Sequence, residues 1–393
     1  MPTAIMFSLP AHGHVNPTLP LMAELARRGE RIICYANEPF RRSIEAAGAI
    51  YRAYAEAGSF DPNASLGGPF GLMARSAELA EQMLPGLLAD VEAERPDYLL
   101  IDSMCLWGNL VQQITGLPAI ASYSSFAMHP KMFGALRGDN PGPPLGDMLR
   151  GLPLLARYWR ICRRIDRRHG TKTPGPAGFF GTSQQLNLIY TSRMFQPLAA
   201  EFDERFAFTG PSVAERHDAG DFPLDALGAP LIYISLGTIF NDALPFYRAC
   251  FDAFGGSRHQ IVLSVGQTID LAALGEPPAN FVVRRHVPQL EILRRADLFV
   301  SHGGMNSASE SLLYGVPLLV VPQIGDQFFV AARVRELGAG LSLANADIAP
   351  ERLRLLAETI LAEPSFRRQA AKLGASLREA GGFERAADEV QAF

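Results

Sequence analysis

The chain has 393 residues, 48% of them hydrophobic and 19% charged, with a formal net charge of -4 and a pI of about 6.1. This mildly acidic balance excludes nucleic-acid binding driven by bulk positive charge, and the length exceeds what one ordinary core supports, so two domains of roughly 200 residues each are expected. Cys34, Cys105, Cys162 and Cys250 are widely spaced and form no paired metal motif, which points to ordinary thiols in a reducing cytoplasm. The first apolar strand follows Met1-Pro2-Thr3 without a basic leader, and no apolar run reaches about 18 residues. Neither export nor membrane insertion is therefore expected.

In chain order, Ala4 to Leu9 reads as a buried strand and is followed by Pro10-Ala11-His12-Gly13-His14-Val15-Asn16-Pro17. Asn16 and Pro17 suit the cap and first turn of a helix carrying Leu19, Leu21, Met22 and Leu25. Gly29 ends that helix, and Arg31 to Tyr35 supplies a second strand, so the opening has βαβ organisation. It lacks GxGxxG and gives no dinucleotide fingerprint. A helical pattern over Glu78 to Glu94 leads to the strand Tyr98 to Ile101, which ends at Asp102. His14 and Asp102 thus both fall at carboxyl ends of strands, where doubly wound sheets keep their chemistry.

Leu117 to Ser122 is a further strand. Glycine and proline then crowd Gly134 to Pro153 and Pro174 to Gly181, as in long loops around an open cleft. Between them the Arg-rich stretch 157–169 reads as a helix with a solvated basic face, a pattern that also suits an acidic membrane surface or an anionic acceptor. Leu186 to Tyr190 is expected to close the first domain, with the boundary near Gly210 to Pro230. Strands at Leu231 to Ile234, Gln260 to Val265 and Phe281 to Val283 follow, and a helical block from Pro350 to the end is broken at Ala380-Gly381-Gly382. No repeat is apparent.

The stretch Arg285 to Gln327 is the most informative. The strand Leu298-Phe299-Val300 stops at Ser301-His302-Gly303-Gly304, and a helix opens at Asn306-Ser307 with Glu310 one turn inside it. A strand from Pro317 to Val321 ends before Pro322 to Gln327. Unpaired N–H groups and the helix dipole at such a turn favour an anion, most naturally phosphate.

At these residues the chain resembles the family 1 nucleoside-diphosphate-sugar glycosyltransferases, in particular their bacterial macrolide branch. HGHVNP at His12 to Pro17 is similar to that family's acceptor-side motif. HVPQLEILRRADLFVSHGG, followed by NS, Glu310 and Asp326-Gln327, is similar to its donor signature, and the likeness includes SLGT at Ser235 to Thr238. The resemblance implies an α/β GT-B fold, with two Rossmann-like doubly wound domains facing across a cleft. Residues 1–215 would bind acceptor and 216–393 the nucleotide sugar, with the last helix packing back on the first domain. It implies inverting transfer without metal or other cofactor, UDP-glucose being the expected co-substrate.

By the same resemblance His14 is the general base, oriented through its other ring nitrogen by Asp102, while His12 is peripheral. A helix starting near Asn16 is expected to oppose protonation of His14. Ser235, Thr238, His302, Gly303, Gly304, Asn306 and Ser307 are expected around the diphosphate. Glu310 is matched to the ribose, Asp326 and Gln327 to the sugar, and His286, Val287 and Gln289 to the base. His286 stands where many relatives carry tryptophan and offers less aromatic area for stacking. Ser8, Phe60, Leu66, Phe70, Met73, Phe126, Met128, Met132 and Phe133 are candidates to line the acceptor space, although apolar residues of this kind equally hold loops and domains together.

The acceptor is expected to be a small apolar molecule such as a macrolide, flavonoid or other polyphenol, and the protein a monomer or weak homodimer without nucleic-acid partners. A nucleotide-sugar epimerase and a non-catalytic nucleotide-sugar-binding protein are the alternatives. The HGHVNP motif, which serves a separate acceptor, favours transfer.

Overall fold

The structure, a computed structural model, describes residues 1–55, 68–135, 145–214, 222–237 and 243–393, with the side chains of 133–135 and 145–149 outside that set. The strands in chain order are β1 (Thr3–Phe7), β2 (Arg31–Ala36), β3 (Ile50–Ala53), β4 (Tyr98–Asp102), β5 (Ala119–Tyr123), β6 (Leu186–Ile189) and β7 (Phe206–Phe208). They continue as β8 (Leu231–Ser235), β9 (Gln260–Ser264), β10 (Phe281–Arg284), β11 (Leu298–Ser301), β12 (Leu318–Val320) and β13 (Gly340–Ser342). Among the described residues β1 to β7 form one sheet, ordered β3-β2-β1-β4-β5-β6-β7, and β8 to β13 a second, ordered β10-β9-β8-β11-β12-β13. Every pairing is parallel. In each sheet the order reverses beside its first strand, between β1 and β4 and between β8 and β11. Those are the topological switch points at which open α/β sheets hold ligands.

The chain divides into two compact units, one of Met1–Tyr190, Leu198–Ser212 and Gly381–Phe393, the other of Thr191–Pro197 and Val213–Ala380. In the first, strand periodicity distributes the core over both sheet faces. Ile5 and Phe7 of β1 pack with the helices Gly68–Glu94, Leu106–Thr115 and Leu145–His169. Ala4 and Met6 pack with Thr18–Arg27 and with the last helix, Gly382–Ala392, through Ala386, Ala387 and Val390. Arg28 fastens that last helix through Asp388 at 2.7 Å. In the second unit Ile232 and Ile234 face the helices Leu244–Phe254 and Pro350–Ala362. All four cysteines are free and buried, and burial pushes the Cys34 thiol up to about 12.

Several elements differ from the sequence reading. β3, β7 and β13 are strands of only three or four residues, so they gave no clear signal, and β6 does not close its sheet because β7 pairs beyond it. The helix Leu145–His169 occupies part of the stretch expected as loop, and Gly68–Glu94 begins well before Glu78. Pro153 and Pro85 lie inside these helices, where each removes a backbone hydrogen bond. The two helices pack on each other, and burial of Leu84, Tyr158, Ile161 and Cys162 offsets that loss. The Arg-rich stretch is the end of this long helix: Arg157 and Arg164 pair with Glu78 and Glu81 at 2.6 and 2.5 Å, while Tyr158, Ile161 and Ile165 point into the core.

The helix Pro364–Glu379 packs against Met305–Leu313, the helix that opens at the HGG turn. A Cβ on Gly374 would lie 2.2 Å from the Leu312 carbonyl oxygen, so the approach requires glycine. Gly374→Ala should destabilise the second unit by about 1–3 kcal/mol. Thermal unfolding checks this, and an unchanged melting temperature would show that the helices separate without cost.

Candidate active site

At the first switch point, Ala11 leads into a single helical turn, His12–Val15, and the longer helix starts at Thr18. Asn16 is therefore not an N-cap: it ends the short turn in right-handed helical conformation, its N–H bonded to the His12 carbonyl. Pro17 precedes Thr18, whose hydroxyl donates back to the Val15 carbonyl at 2.7 Å. The expected dipole effect of a helix starting at Asn16 is corrected accordingly, since His14 lies inside a one-turn helix that begins before it. That turn places His14 Nδ1 2.8 Å from Asp102 Oδ2 and 3.0 Å from Ser124 Oγ. Asp102, at the end of β4, is 1% exposed, and its Oδ1 accepts the Met104 N–H at 2.9 Å. Both carboxylate oxygens are thus engaged, and the carboxylate is held rigidly against the imidazole. With Nδ1–H donating to Asp102, the lone pair of the ring is on Nε2. His12 instead sits edge-on to Phe40, with ring centroids 4.8 Å apart.

Several acceptor candidates are corrected. Ser8 is 0% exposed, with Oγ 4.0 Å from Cys34 Sγ, so its side chain lines no open space. Its carbonyl accepts the Tyr54 hydroxyl at 2.8 Å. Met73 belongs to the packed core between sheet and helices, and Phe126 and Met132 are likewise almost wholly buried. Phe70 and Met128 are half-buried and keep an accessible surface. Phe60, Leu66 and Thr238 lie outside the described residues, as does the side chain of Phe133.

At the second switch point, Ser264, Ser235 and Ser301 form one row across β9, β8 and β11. Gly303, at φ +81°, would place a Cβ 2.5 Å from Val320 Cγ1. A Cβ on Gly304 would meet His302 Nε2 at 2.5 Å, and one on Gly237 would meet His302 Cε1 at 2.7 Å. These last two glycines make room for the imidazole. Gly304 supplies no side chain to cap the helix Met305–Leu313, whose first turn carries Asn306 and Ser307. Such a turn presents N–H groups and a positive dipole end to an anion.

The His302 ring is half-buried, and its Nδ1 has no hydrogen-bond partner among the described residues. Desolvation lowers its pKa from 6.5 to about 4, against a smaller opposing effect of a Ser235 backbone group. Near neutral pH it offers hydrogen bonding and no charge.

One helical turn further, Glu310 is 2% exposed, and its Oε2 accepts from Gln289 Nε2 at 2.6 Å. Gln289 Oε1 in turn accepts the Tyr233 hydroxyl at 3.0 Å. Gln327 Oε1 closes the loop after β12 by accepting the Gln323 and Ile324 N–H groups at 2.7 and 3.1 Å, and Asp326 stands half-buried beside it. His286 is exposed after β10, while Val287 is buried. Among the described residues no group of three or more His, Cys, Asp or Glu could hold a metal ion, and no helix is long and apolar enough to cross a membrane.

Residues 248–380 match the family model described as Erythromycin biosynthesis protein CIII-like, C-terminal domain. Oleandomycin glycosyltransferase of Streptomyces antibioticus is 31% identical over 398 residues, covering 98% of this chain and 90% of that protein. The uncharacterized UDP-glucosyltransferase YojK of Bacillus subtilis (strain 168) is 33% identical over 396 residues, covering 99% of this chain and 97% of that protein. The chain belongs to the macrolide-type bacterial glycosyltransferases. Its fold is GT-B, and the solved glycosyltransferase of kitacinnamycin superposes with a TM-score of 0.84 at 30% identity, over 99% of this chain and 98% of that one.

In this glycosyltransferase two polar partners escaped the sequence reading. Ser124 follows β5, the neighbour of β4, and the polar run Ser122-Tyr123-Ser124-Ser125 at a strand end was the available signal. Tyr233 looked like an ordinary core residue of an apolar strand, and only its hydroxyl distinguishes it.

The shifted histidine of the glycosyltransferase sets a pH dependence. Between pH 6.5 and about 4 the unfolded chain binds a proton at His302 that the folded chain refuses, so stability falls as pH drops through that window and is fully retained above it. Imidazole C–H resonances of His302, assigned through His302→Gln, should titrate near 4. A midpoint at 6.5 would show that the ring is not desolvated.

Proposed function

We propose that the enzyme transfers a hexose, glucose from UDP-glucose, to a hydroxyl of a small apolar acceptor such as a macrolide, flavonoid or other polyphenol, with inversion at the anomeric carbon. The observation that carries this reading is the 2.8 Å contact between His14 Nδ1 and the buried Asp102 carboxylate. An acceptor hydroxyl is a weak nucleophile near neutrality and needs a base as it attacks. His14 Nε2 takes its proton, the hydroxyl oxygen bonds to the anomeric carbon, and the bond from that carbon to the diphosphate oxygen breaks. A single displacement of this kind inverts the centre. Asp102 holds the useful tautomer and stabilises the imidazolium as it forms, and Ser124 limits rotation of the ring.

Charge developing on the departing diphosphate calls for fixed donors. The N–H groups that follow Gly304, the hydroxyls of Ser235 and Ser307, the Asn306 amide and neutral His302 are assigned to it. Glu310 is assigned to the ribose hydroxyls, Asp326 and Gln327 to the sugar, and His286, Val287 and Gln289 to the base. The exposed position of His286 suits stacking on a pyrimidine. UDP-glucose is favoured as donor by the likeness to a UDP-glucosyltransferase, and a macrolide-sized acceptor by the likeness to an oleandomycin glycosyltransferase.

His14→Ala should lower transfer by about 10²- to 10⁴-fold while leaving UDP affinity unchanged. Asp102→Asn should cost on the order of 10³-fold or more, because the amide no longer fixes the donating tautomer. Mass spectrometry of products from UDP- and TDP-sugars with mixed phenolic and macrolide acceptors checks both. Unchanged turnover in His14→Ala would remove the assigned base, and an isomerised nucleotide sugar without a glycosylated acceptor would mean epimerisation.

A further inference from the structure

Tyr233 lies on β8, 2% exposed, with its ring stacked on Phe299 at 4.6 Å between centroids and 8° between planes. This packing fixes the phenol, and burial pushes its pKa well up, so the hydroxyl remains a proton donor. The hydroxyl donates to Gln289 Oε1 at 3.0 Å, and the side chains of Ser235 and Ser264 hydrogen-bond to it from the ends of β8 and β9. A glutamine amide presents a donor end and an acceptor end that exchange on a half-turn. Because Oε1 accepts from Tyr233, Nε2 is turned toward the Glu310 carboxylate at 2.6 Å and lies 3.5 Å from Ser307 Oγ. The reverse orientation would set an amide oxygen against a carboxylate in a site shielded from water, where the repulsion is weakly screened.

We infer that Tyr233 is a positioning residue: through Gln289 it sets the Glu310 carboxylate, and with it the preference of the enzyme for ribose over 2′-deoxyribose nucleotides. This rests on the assignment of Glu310 to the ribose hydroxyls. A carboxylate accepts a charge-assisted hydrogen bond from a 2′-hydroxyl only when its oxygens are correctly aimed, and a 2′-deoxynucleotide has no such hydroxyl to offer. Removing the phenolic hydroxyl therefore penalises the ribonucleotide selectively.

The test is calorimetric titration of the full-length protein with UDP and with dUDP, free nucleotides that need no acceptor. Wild type should bind UDP more tightly. Tyr233→Phe keeps the stacked ring and should lower the UDP preference about fivefold or more, the scale of one hydrogen bond, with dUDP affinity little changed. Gln289→Leu, which keeps the Tyr233 ring stacked on Phe299, should shift the ratio in the same direction and serves if the tyrosine variant folds poorly. Glu310→Gln should remove most of the preference.

Equal binding of UDP and dUDP by wild type would overturn the ribose assignment and the relay with it. A preference that Glu310→Gln abolishes but Tyr233→Phe and Gln289→Leu retain would overturn the relay alone. Parallel weakening of both nucleotides in Tyr233→Phe, at constant ratio, would reduce Tyr233 to a packing role and also overturn it.

Discussion

Parallel strand pairing is the constraint on which both candidate sites depend. β1 lies beside β4 with Phe7 opposite Ile101, and β8 beside β11 with Ser235 opposite Ser301. In a parallel sheet every carboxyl end emerges on one edge, and the connections that leave neighbouring strands at a switch point diverge to opposite faces. The gap this leaves receives His14 and Asp102 in the first unit, and Gly237 and His302 in the second. Residues far apart in the chain meet there because of register, and each meeting is specified by a few backbone hydrogen bonds.

Close approach then sharpens each site. Gly237 and Gly304 admit the His302 ring where a single added carbon would collide, and Gly303 admits Val320. Gly374 lets a second helix reach the carbonyls of the helix that opens at the HGG turn. Removing Cβ atoms costs backbone entropy, and the return is precise placement of a ring and a helix end. The desolvation of His302 follows from this packing, which is why a histidine beside this helix-opening turn is neutral near pH 7.

Buried polar groups form the layer behind the groups proposed to act on substrate. The Met104 N–H and His14 hold both oxygens of Asp102, while Gln289 holds Glu310 and is held by Tyr233. A buried carboxylate without such partners would be costly, so these hydrogen bonds both stabilise the fold and aim the groups. The same logic explains Ser8, whose burial against Cys34 and Tyr54 makes it a structural residue directly after β1.

By itself the sequence determined the two α/β units, most strands and the residues at their carboxyl ends, because apolar runs, glycine turns and helix starts are local signals. As candidates, His14, Asp102, His302 and Glu310 were legible from their places in such patterns together with family motifs. The tertiary structure alone decided what surrounds them. It brought Ser124 to His14 and Tyr233 to Gln289, buried Met73, Phe126 and Met132, carried helices through Pro85 and Pro153, and paired short strands such as β7 and β13. Each of these outcomes depends on contacts between residues distant in the chain, whose free energy outweighs local propensity and leaves no periodic trace in the sequence.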